Sequence, residues 1–285
     1  MMALDKSTVL ITGATSGIGK AAAVDLAKQG VTLVFNSRDL QRGESVREEI
    51  IRESGNSSVH VLPCDFASLQ QVKAFAEQFL AQFPALHVLI NNAGAFFPSY
   101  TTTKDGLEAT FAVNHLAPFY LTQLLLERLK ASAPARIITV SSAAHKGQTL
   151  ELGNTEASLL LTPENYSALK AYGQSKLANI LFTKTLAHKL EGTQVMANSL
   201  HPGVIRTRIT RRANWLLQAG FLAIGKSVKK GADTILYLAK SEPGGKVSGE
   251  YFVNRRQTAT SKVAQDTQLA AQLWQFSEEK IQQLT

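Results

Sequence analysis

Hydrophobic positions along the chain alternate between short continuous runs and stretches with helical spacing. The runs are rich in β-branched residues, which is typical of buried strands, and they lie at 8–12, 31–36, 58–62, 86–90, 136–140, 194–200 and 250–253. The stretches between and after them predict helices at 17–30, 41–53, 69–83, 114–129, 169–190, 231–239 and 264–284. Gly30 is expected to stop the first of these helices.

This alternation predicts a single α/β domain. Strands separated by helices need crossover connections, and crossovers produce parallel strands. Strands that are apolar throughout need cover on both faces. We therefore expect residues 1–285 to form one Rossmann-type, doubly wound sheet of about seven parallel strands with helices on both faces. Polar or basic stretches at about 145–165 and 206–227 interrupt the alternation where such sheets bind ligands, so we interpret them as substrate-site segments.

Composition and charge narrow the class of protein. A hydrophobic fraction of 45% and a charged fraction of 18% fit a globular protein rather than a disordered one. The net charge of +8 indicates some attraction for anions. Nucleic-acid binding would need a dense basic run with stacking aromatics. The sequence contains no such run, and the nearest candidate is the cluster Arg206, Arg208, Arg211 and Arg212. Nucleic-acid binding is therefore the least favoured hypothesis.

Compartment and metal content follow from what the sequence lacks. Cys64 is the single cysteine, so an intrachain disulfide is excluded. The start, MMALDKSTVLITG, contains no long apolar stretch, so we expect no secretory signal, no membrane span and a cytoplasmic location. His115, His145 and His201 are not spaced as metal ligands, so no metal is expected.

A glycine-rich turn, TGATSGIG, follows the first predicted strand and opens the first predicted helix. Gly13 permits the tight turn, Gly17 lets the backbone approach a pyrophosphate, and Gly19 allows close helix–strand packing. The helix N-terminus presents unpaired N–H groups to the anion. The predicted dinucleotide-phosphate site comprises these glycines together with Thr15, Ser16 and Ile18.

The end of the second strand indicates which nicotinamide is used. An NAD enzyme usually places a carboxylate there to hold the ribose hydroxyls, but this chain has Asn36, Ser37 and Arg38. Arg38 can pair with a 2′-phosphate, Ser37 can donate a hydroxyl hydrogen bond, and Lys20 adds a nearby charge. The pattern favours NADP(H) over the alternative of a solvated loop arginine.

Tyr172 and Lys176 are the candidate acid/base pair. A spacing of four residues puts both side chains on one helix face. A free phenol, with a pKa near ~10, is a poor base at neutral pH, and a neighbouring ammonium lowers that pKa. Such pairs are common on helix surfaces, so the hypothesis depends on two further polar groups: Ser142, after a buried strand, and Asn114, in FAVNH.

These motifs together resemble the short-chain dehydrogenase/reductase family. The resemblance spans most of the chain, and its motifs occur in family order: TGATSGIG (12–19), NNAG (91–94), Asn114, VSS (140–142), YGQSK (172–176) and HPGVIRT (201–207). The family resemblance implies NADP(H)-dependent interconversion of a carbonyl and an alcohol.

The resemblance also implies residue roles. Ser142 would hydrogen-bond the substrate carbonyl, Tyr172 would donate or accept the proton, and Lys176 would lower the tyrosine pKa and hold the nicotinamide ribose. Asn114 would keep a water in a proton relay to Lys176. The remaining cofactor contacts would be Asp65 at adenine, Asn92, Ala93 and Gly94 at the adenosine ribose, and Pro202, Gly203, Val204 and Thr207 at the nicotinamide end, with Phe66 as a further cofactor-binding residue. Taken singly, Ser142 could instead cap a helix and Asn114 could be an interior hydrogen-bonding residue.

Several stretches look like the retinol dehydrogenase branch of that family: 64–76, 105–126 and 171–190. This branch acts on retinal, retinol and other lipophilic aldehydes and alcohols, whereas related branches act on steroids or tetrapyrrole-like substrates. Animal members of this branch usually carry an N-terminal membrane anchor. This chain departs from that pattern, because we expect no membrane span in it. The apolar cluster Trp215, Leu216, Leu217, Phe221, Leu222 and Ile224 could be a lid, core packing or a peripheral membrane contact.

A different functional class is a dinucleotide-binding sensor or scaffold without turnover. Such proteins commonly lose the tyrosine or the lysine, and this chain keeps both Tyr172 and Lys176. We therefore favour an enzyme with a small apolar substrate and no nucleic-acid partner. Dimers and tetramers are common in the family, so the resemblance also allows a homodimer.

Overall fold

The computed structural model describes residues 4–150, 161–205 and 227–285. Eight strands form one sheet in the order β3-β2-β1-β4-β5-β6-β7-β8. In chain order, the strands are β1 Thr8–Ile11, β2 Thr32–Ser37, β3 Val59–Pro63, β4 Val88–Asn91, β5 Ala135–Val140, β6 Val195–His201, β7 Tyr251–Val253 and β8 Arg256–Gln257. The helices are α1 Gly17–Ala27, α2 Leu40–Ser54, α3 Leu69–Gln82, α4 Ala109–Phe111, α5 Ala117–Ala131, α6 Ala168–Lys189, α7 Val228–Lys240 and α8 Thr267–Leu284.

Side chains of the central strands alternate between two hydrophobic cores, one on each face of the sheet. On β1, Leu10 packs in one core, while Val9 and Ile11 pack in the other. The core around Leu10 lies under α3, α5, α6 and α8, and the other lies under α1, α2 and α7. The prediction of a doubly wound sheet covered on both faces is thus confirmed.

The sheet differs from its prediction at one edge. Strands β1 to β7 are parallel, as expected, but β8 pairs antiparallel with β7. The turn between them consists of Asn254 and Arg255, which have φ angles of 49° and 64°. A two-residue hairpin needs positive φ at both central positions, and its usual sequence signal is Asn-Gly or Asp-Gly. Because arginine occupies the second position, the sequence carried no hairpin signal.

Two helix boundaries also differ. The first helix ends at Ala27, and Gly30 lies beyond it with a φ of 76°, completing the turn toward β2. The helix expected from Asn114 begins earlier, as α4, and continues through a π-helical turn, Ala112–Leu116, into α5. The wider π turn inserts an extra residue into the helical repeat, so a pattern of period 3.6 misplaces this start.

The strand order reverses between β1 and β4, because the crossover after β1 leads to β2 on one side and the crossover after β4 leads to β5 on the other. A crevice therefore opens beyond the carboxyl ends of these two strands, which is where open α/β sheets bind ligands. Among the described residues, no helix is long and apolar enough to cross a membrane. Several sequence predictions lie outside the described residues: Thr207, the arginines at 206–212, the apolar cluster at 215–224, and parts of both predicted substrate-site segments.

Candidate active site

The glycine-rich turn lies between β1 and α1, as predicted. Gly13 and Gly17 have φ angles of 69° and 59°, which residues with a side chain rarely adopt. A Cβ at Gly13 would lie 2.8 Å from Ala93 Cα. A Cβ at Gly19 would lie 2.5 Å from the Gly13 carbonyl oxygen and would also collide with the Asn92 amide. These contacts pack the turn tightly against the end of β4.

Two asparagines hold the turn in place. Asn36, near the end of β2, accepts a hydrogen bond from Gly13 N at 3.0 Å and donates one to the Cys64 carbonyl at 3.2 Å. Asn92 donates to the Thr12 carbonyl at 2.7 Å, and Thr12 Oγ1 accepts from the Asn92 and Ala93 backbone N–H groups. The ends of β1, β2, β3 and β4 are thus joined through the turn.

The glycine-rich turn, together with Asn36 and Asn92, forms a cradle whose residues fit a dinucleotide. Ser16 is the N-cap of α1, but its side chain makes no capping hydrogen bond, and no acidic residue lies in the first turn. The first N–H groups of α1 are thus available to an anion. In the described part of the chain, the buried Asn92 Oδ1 has no hydrogen-bond partner. A buried acceptor of this kind is costly unless a ligand or a water donates to it.

The predicted 2′-phosphate contacts differ in availability. Arg38 is exposed just beyond β2, so its guanidinium is accessible from the crevice edge. Ser37 is buried, and its hydroxyl already donates to the Asp39 carbonyl at 2.5 Å. Lys20 forms an ion pair with Glu49 on α2. Of the three residues, Arg38 is the best placed to recognise a phosphate.

Further predicted cofactor residues lie after β3 and β6. Asp65 is half-buried and accepts a hydrogen bond from Ala67 N at 3.1 Å, while Phe66 is buried in the core under α3. Pro202, Gly203 and Val204 follow β6. Gly203 has a φ of 92°, and Val204 is 44% exposed at the crevice edge.

Asn114 lies fully buried in the π-helical turn between α4 and α5. Its Oδ1 accepts from Ala95 N at 2.7 Å, and its Nδ2 donates to the Ala95 carbonyl and to Ser175 Oγ, each at 3.0 Å. Ser175 Oγ in turn donates to the Tyr172 carbonyl at 2.7 Å. π-helical turns are frequent at functional sites, and this one ties the loop after β4 to the helix that carries Tyr172.

Lys176 is only 2% exposed, and its Nζ donates to the Val140 carbonyl at 3.1 Å. A Cβ at Gly94 would lie 3.3 Å from Lys176 Nζ and 3.4 Å from Asn114 Oδ1, so both side chains line one small space. Burial lowers the pKa of Lys176 to about 8. The ammonium therefore still predominates at neutral pH, and its charge is poorly screened by solvent.

Tyr172 and Ser142 face each other across the crevice. Lys176 Nζ lies 5.5 Å from the centroid of the Tyr172 ring. Burial raises the pKa of Tyr172 to about 12, and a hydrogen bond with the Ser142 side chain opposes that rise. Burial thus acts against the lowering of this pKa by Lys176 that the sequence argument expects, and that lowering stays a prediction.

Ser142 has a second role, which the sequence left open. Its side chain is the N-cap of the 3₁₀ turn Ala143–His145 and accepts from Ala144 N at 3.2 Å. The structure thus brings Asn114, Ser142, Tyr172 and Lys176 together beyond the ends of β4 and β5. A proton donor, a hydroxyl that can bind a carbonyl, and a cation can then act on one substrate oxygen.

Sequence reasoning missed an aromatic group beside this site. Phe96 meets the Tyr172 ring edge-on, with centroids 6.0 Å apart. Tyr166 donates to the Phe97 carbonyl at 2.7 Å and packs edge-on against Tyr100 at 5.7 Å. These residues lie in irregular segments, where neither period 2 nor period 3.6 marks a buried face. The NNAG motif, which ends two residues before Phe96, is the one signal that could have drawn attention to them.

The buried His115 predicts acid sensitivity of the fold. Burial lowers its pKa to about 4, below the ordinary value of 6.5. Folding therefore favours the neutral ring. That contribution is complete above about pH 6.5 and is lost as pH falls toward 4, at a cost of about 3 kcal/mol. We expect the free energy of unfolding to fall across this window, and His115→Gln to flatten the slope in urea titrations at successive pH values. An unchanged slope in the variant would contradict this assignment.

This fold and this arrangement of Ser142, Tyr172 and Lys176 define a short chain dehydrogenase. The profile of that family matches residues 7–154 and 160–215, and the chain belongs to the family. It is therefore an oxidoreductase that acts on CH–OH or C=O groups of a small molecule, and its family uses nicotinamide cofactors.

Among its relatives are several retinol dehydrogenases. Retinol dehydrogenase 12 of Mus musculus is 44% identical over 271 residues, covering 94% of this chain and 84% of the relative. Retinol dehydrogenase 12 of Homo sapiens is 42% identical over 279 residues, covering 96% and 86%. The resemblance to the retinol dehydrogenase branch is thus confirmed at the level of sequence.

Solved structures agree with the fold. An uncharacterized protein from Mycobacterium paratuberculosis superposes with a TM-score of 0.79 at 32% identity, covering 98% of this chain and 95% of that one. A blue fluorescent protein from a metagenomic library, solved in complex with NADPH, superposes with a TM-score of 0.70 at 25% identity, covering 88% and 96%.

Proposed function

We propose that this protein is an NADP(H)-dependent reductase of lipophilic carbonyl compounds, with retinal or another apolar aldehyde as substrate. The observation that carries the proposal is the geometry around Tyr172: its phenol is hydrogen-bonded to the Ser142 side chain, and its ring centroid lies 5.5 Å from the Nζ of the buried Lys176. A protonated phenol suits carbonyl reduction, because the substrate oxygen must gain a proton.

The proposed chemistry assigns one task to each side chain. When bound, NADPH supplies a hydride to the carbonyl carbon. Ser142 donates a hydrogen bond to the carbonyl oxygen and orients it. Tyr172 transfers its proton to that oxygen, which is a far stronger base than phenolate as it becomes an alkoxide. Lys176 stabilises the phenolate that remains, since its ammonium lies close by in a medium of low dielectric.

Asn114 would restore the proton to Tyr172. Two of its hydrogen bonds fix its amide against Ala95, and its Oδ1, which has a second lone pair, lines the same small space beside Gly94 as Lys176 Nζ. A water held there could pass protons between bulk solvent and the lysine. In this proposal Asn114 is a catalytic residue through that water, in addition to its structural role.

An apolar substrate is supported by the surroundings of Tyr172. Phe96 packs edge-on against its ring, and Leu169, one turn earlier on α6, is 64% exposed. Small-molecule sites are lined mainly by apolar and aromatic side chains, so an aromatic ring beside the candidate proton donor favours a ligand that buries apolar surface. The names of the relatives point the same way, since several are retinol dehydrogenases.

The proposal is tested by a panel of carbonyl compounds assayed with NADPH and with NADH. The panel contains all-trans-retinal, medium-chain and aromatic aldehydes, and steroid ketones. We expect the highest kcat/KM with NADPH and an apolar aldehyde. Binding of NADPH without turnover of any member would instead favour a dinucleotide sensor. A preference for steroid ketones would keep the chemistry but replace the substrate class.

Arg38 provides a separate test of the cofactor choice. Its exposed guanidinium is expected to pair with the 2′-phosphate, and a hydrogen bond to a charged group contributes about 1.5–3 kcal/mol. We therefore expect Arg38→Ala to weaken NADPH binding about 10- to 100-fold, with NADH affinity nearly unchanged. The matched control is Arg52→Ala, at the exposed far end of α2, which should alter neither dissociation constant. An equal loss of both affinities in Arg38→Ala would refute the phosphate contact.

A further inference from the structure

The ring of His145 bridges the catalytic turn and the C-terminal part of the chain. His145 is fully buried three residues after Ser142. Its Nδ1 lies 2.7 Å from the Ser142 carbonyl oxygen, and its Nε2 accepts from Ser261 N at 3.3 Å. Because a carbonyl can only accept and a backbone N–H can only donate, the ring must be neutral with its proton on Nδ1.

The turn that His145 closes sets the position of Ser142 relative to Tyr172. The Ser142 carbonyl also accepts from His145 N at 3.2 Å, so backbone and ring of the same residue hold one oxygen. On the other side, a Cβ at Gly173 would lie 2.7 Å from the Ala144 carbonyl oxygen. Helix α6 therefore rests directly on this turn one residue after Tyr172, and a small shift of the turn would change the distance between Ser142 and the phenol.

We propose that His145 is a positioning residue that holds the Ser142 hydroxyl opposite Tyr172, with Ser261 as its anchor in the C-terminal segment. The inference rests on the proposed role of Ser142. In this proposal, the backbone N–H of Ser261, beyond β8, helps to position Ser142, and it does so only through the His145 ring. A displacement of Ser142 by a few tenths of an ångström would then reduce turnover without affecting the dinucleotide cradle.

The surroundings of the ring favour its neutral form. On β7, Tyr251 packs edge-on against it at 5.1 Å as a neutral phenol. Ser261, beyond β8, contributes its N–H. Burial lowers the pKa of His145 below its ordinary value, and the charge of the neighbouring Lys146 acts in the same direction. Protonation of Nε2 would replace this acceptor with a donor, so the His145 Nε2–H and the Ser261 N–H would face each other without an acceptor.

Ring NMR tests the hydrogen bonds independently of turnover. In protein labelled with ¹⁵N-histidine, His145 should show the neutral Nδ1–H tautomer and keep it as the pH is lowered to the ordinary histidine value of 6.5. Its resonances are assigned from their loss in His145→Asn. An Nε2–H tautomer, or a ring that is already protonated at pH 6.5, would overturn the proposal even if no carbonyl substrate is found.

Kinetics test the positioning role itself. We expect His145→Phe, which keeps the ring volume but neither hydrogen bond, to lower kcat about tenfold or more while the dissociation constant of NADPH stays within about twofold. His145→Asn, whose amide can still reach the Ser142 carbonyl, should recover most of kcat. The matched control is His188→Phe, at the exposed end of α6, which should retain wild-type kcat.

Outcomes of the two arms are distinguishable. A wild-type protein without activity sinks the proposed function and leaves the NMR arm to decide the inference. An active wild type with an equally active, folded His145→Phe variant sinks the inference alone. If His145→Phe unfolds, the kinetic test uses His145→Asn instead. A folded His145→Asn variant that binds NADPH normally but does not recover most of the wild-type kcat would then contradict the inference.

Discussion

Replacing Tyr172 with phenylalanine is expected to lower kcat for carbonyl reduction about 10³-fold, since a positioned general acid contributes roughly 10²- to 10⁴-fold. The variant keeps the ring and its edge-on contact with Phe96. It loses the one proton that the site can deliver to the substrate oxygen. Because the phenol hydroxyl is not part of the phosphate cradle, NADPH affinity should change only a few-fold.

The control for this variant is Tyr237→Phe, on α7, whose ring packs against Phe252 on the other side of the sheet. It should retain wild-type kcat and a similar stability. Steady-state kinetics with the best aldehyde of the panel, and fluorescence titration with NADPH, measure the two quantities. A Tyr172→Phe variant that retains more than about a tenth of kcat would show that the proton comes from another group.

Gly19→Ala is expected to abolish useful cofactor affinity. The added Cβ would lie 2.5 Å from the Gly13 carbonyl oxygen and would collide with the Asn92 amide. Neither neighbour can retreat without cost, because Asn92 is hydrogen-bonded to the Thr12 carbonyl and Gly13 to Asn36. The phosphate turn must therefore move, and we expect NADPH affinity to fall at least 100-fold, with a loss of about 1–3 kcal/mol in stability.

Gly30→Ala separates the loss of binding from a loss of stability. Gly30 lies beyond the other end of α1 with a φ of 76°, and a Cβ added there would meet nothing within 4 Å in the described part of the chain. Alanine there is strained by roughly 1–2 kcal/mol but contacts nothing in the cradle. Both variants should be destabilised in urea unfolding, and only Gly19→Ala should lose NADPH binding. Equal binding by the two variants would contradict the cradle geometry.

Much of the fold could be predicted from sequence because its central strands consist mostly of buried apolar residues and its phosphate turn has a specific spacing. Gly13, Gly17 and Gly19 take the conformations and contacts that the motif requires. The π-helical turn at Asn114 and the Asn254–Arg255 hairpin could not be predicted. In both places tertiary packing selects a backbone conformation that the local sequence does not signal.

The site shows the same division. Spacing places Lys176 one turn from Tyr172, but it does not reveal that the Val140 carbonyl accepts a hydrogen bond from the ammonium or that Lys176 is only 2% exposed. Burial shifts the pKa of a side chain, and burial depends on the whole fold. Phe96 and His145 carry no periodic signal, and their importance comes from contacts with residues distant in sequence.

Transfer of label from the cofactor tests the central claim most directly. Purified protein is incubated with all-trans-retinal and NADPH carrying deuterium at the transferable position of the nicotinamide, and the product is analysed by mass spectrometry. We expect an alcohol with deuterium on its carbinol carbon, formed by wild-type protein and nearly absent with Tyr172→Phe. No labelled alcohol from retinal or from any other carbonyl of the panel, despite saturating NADPH, would contradict the account.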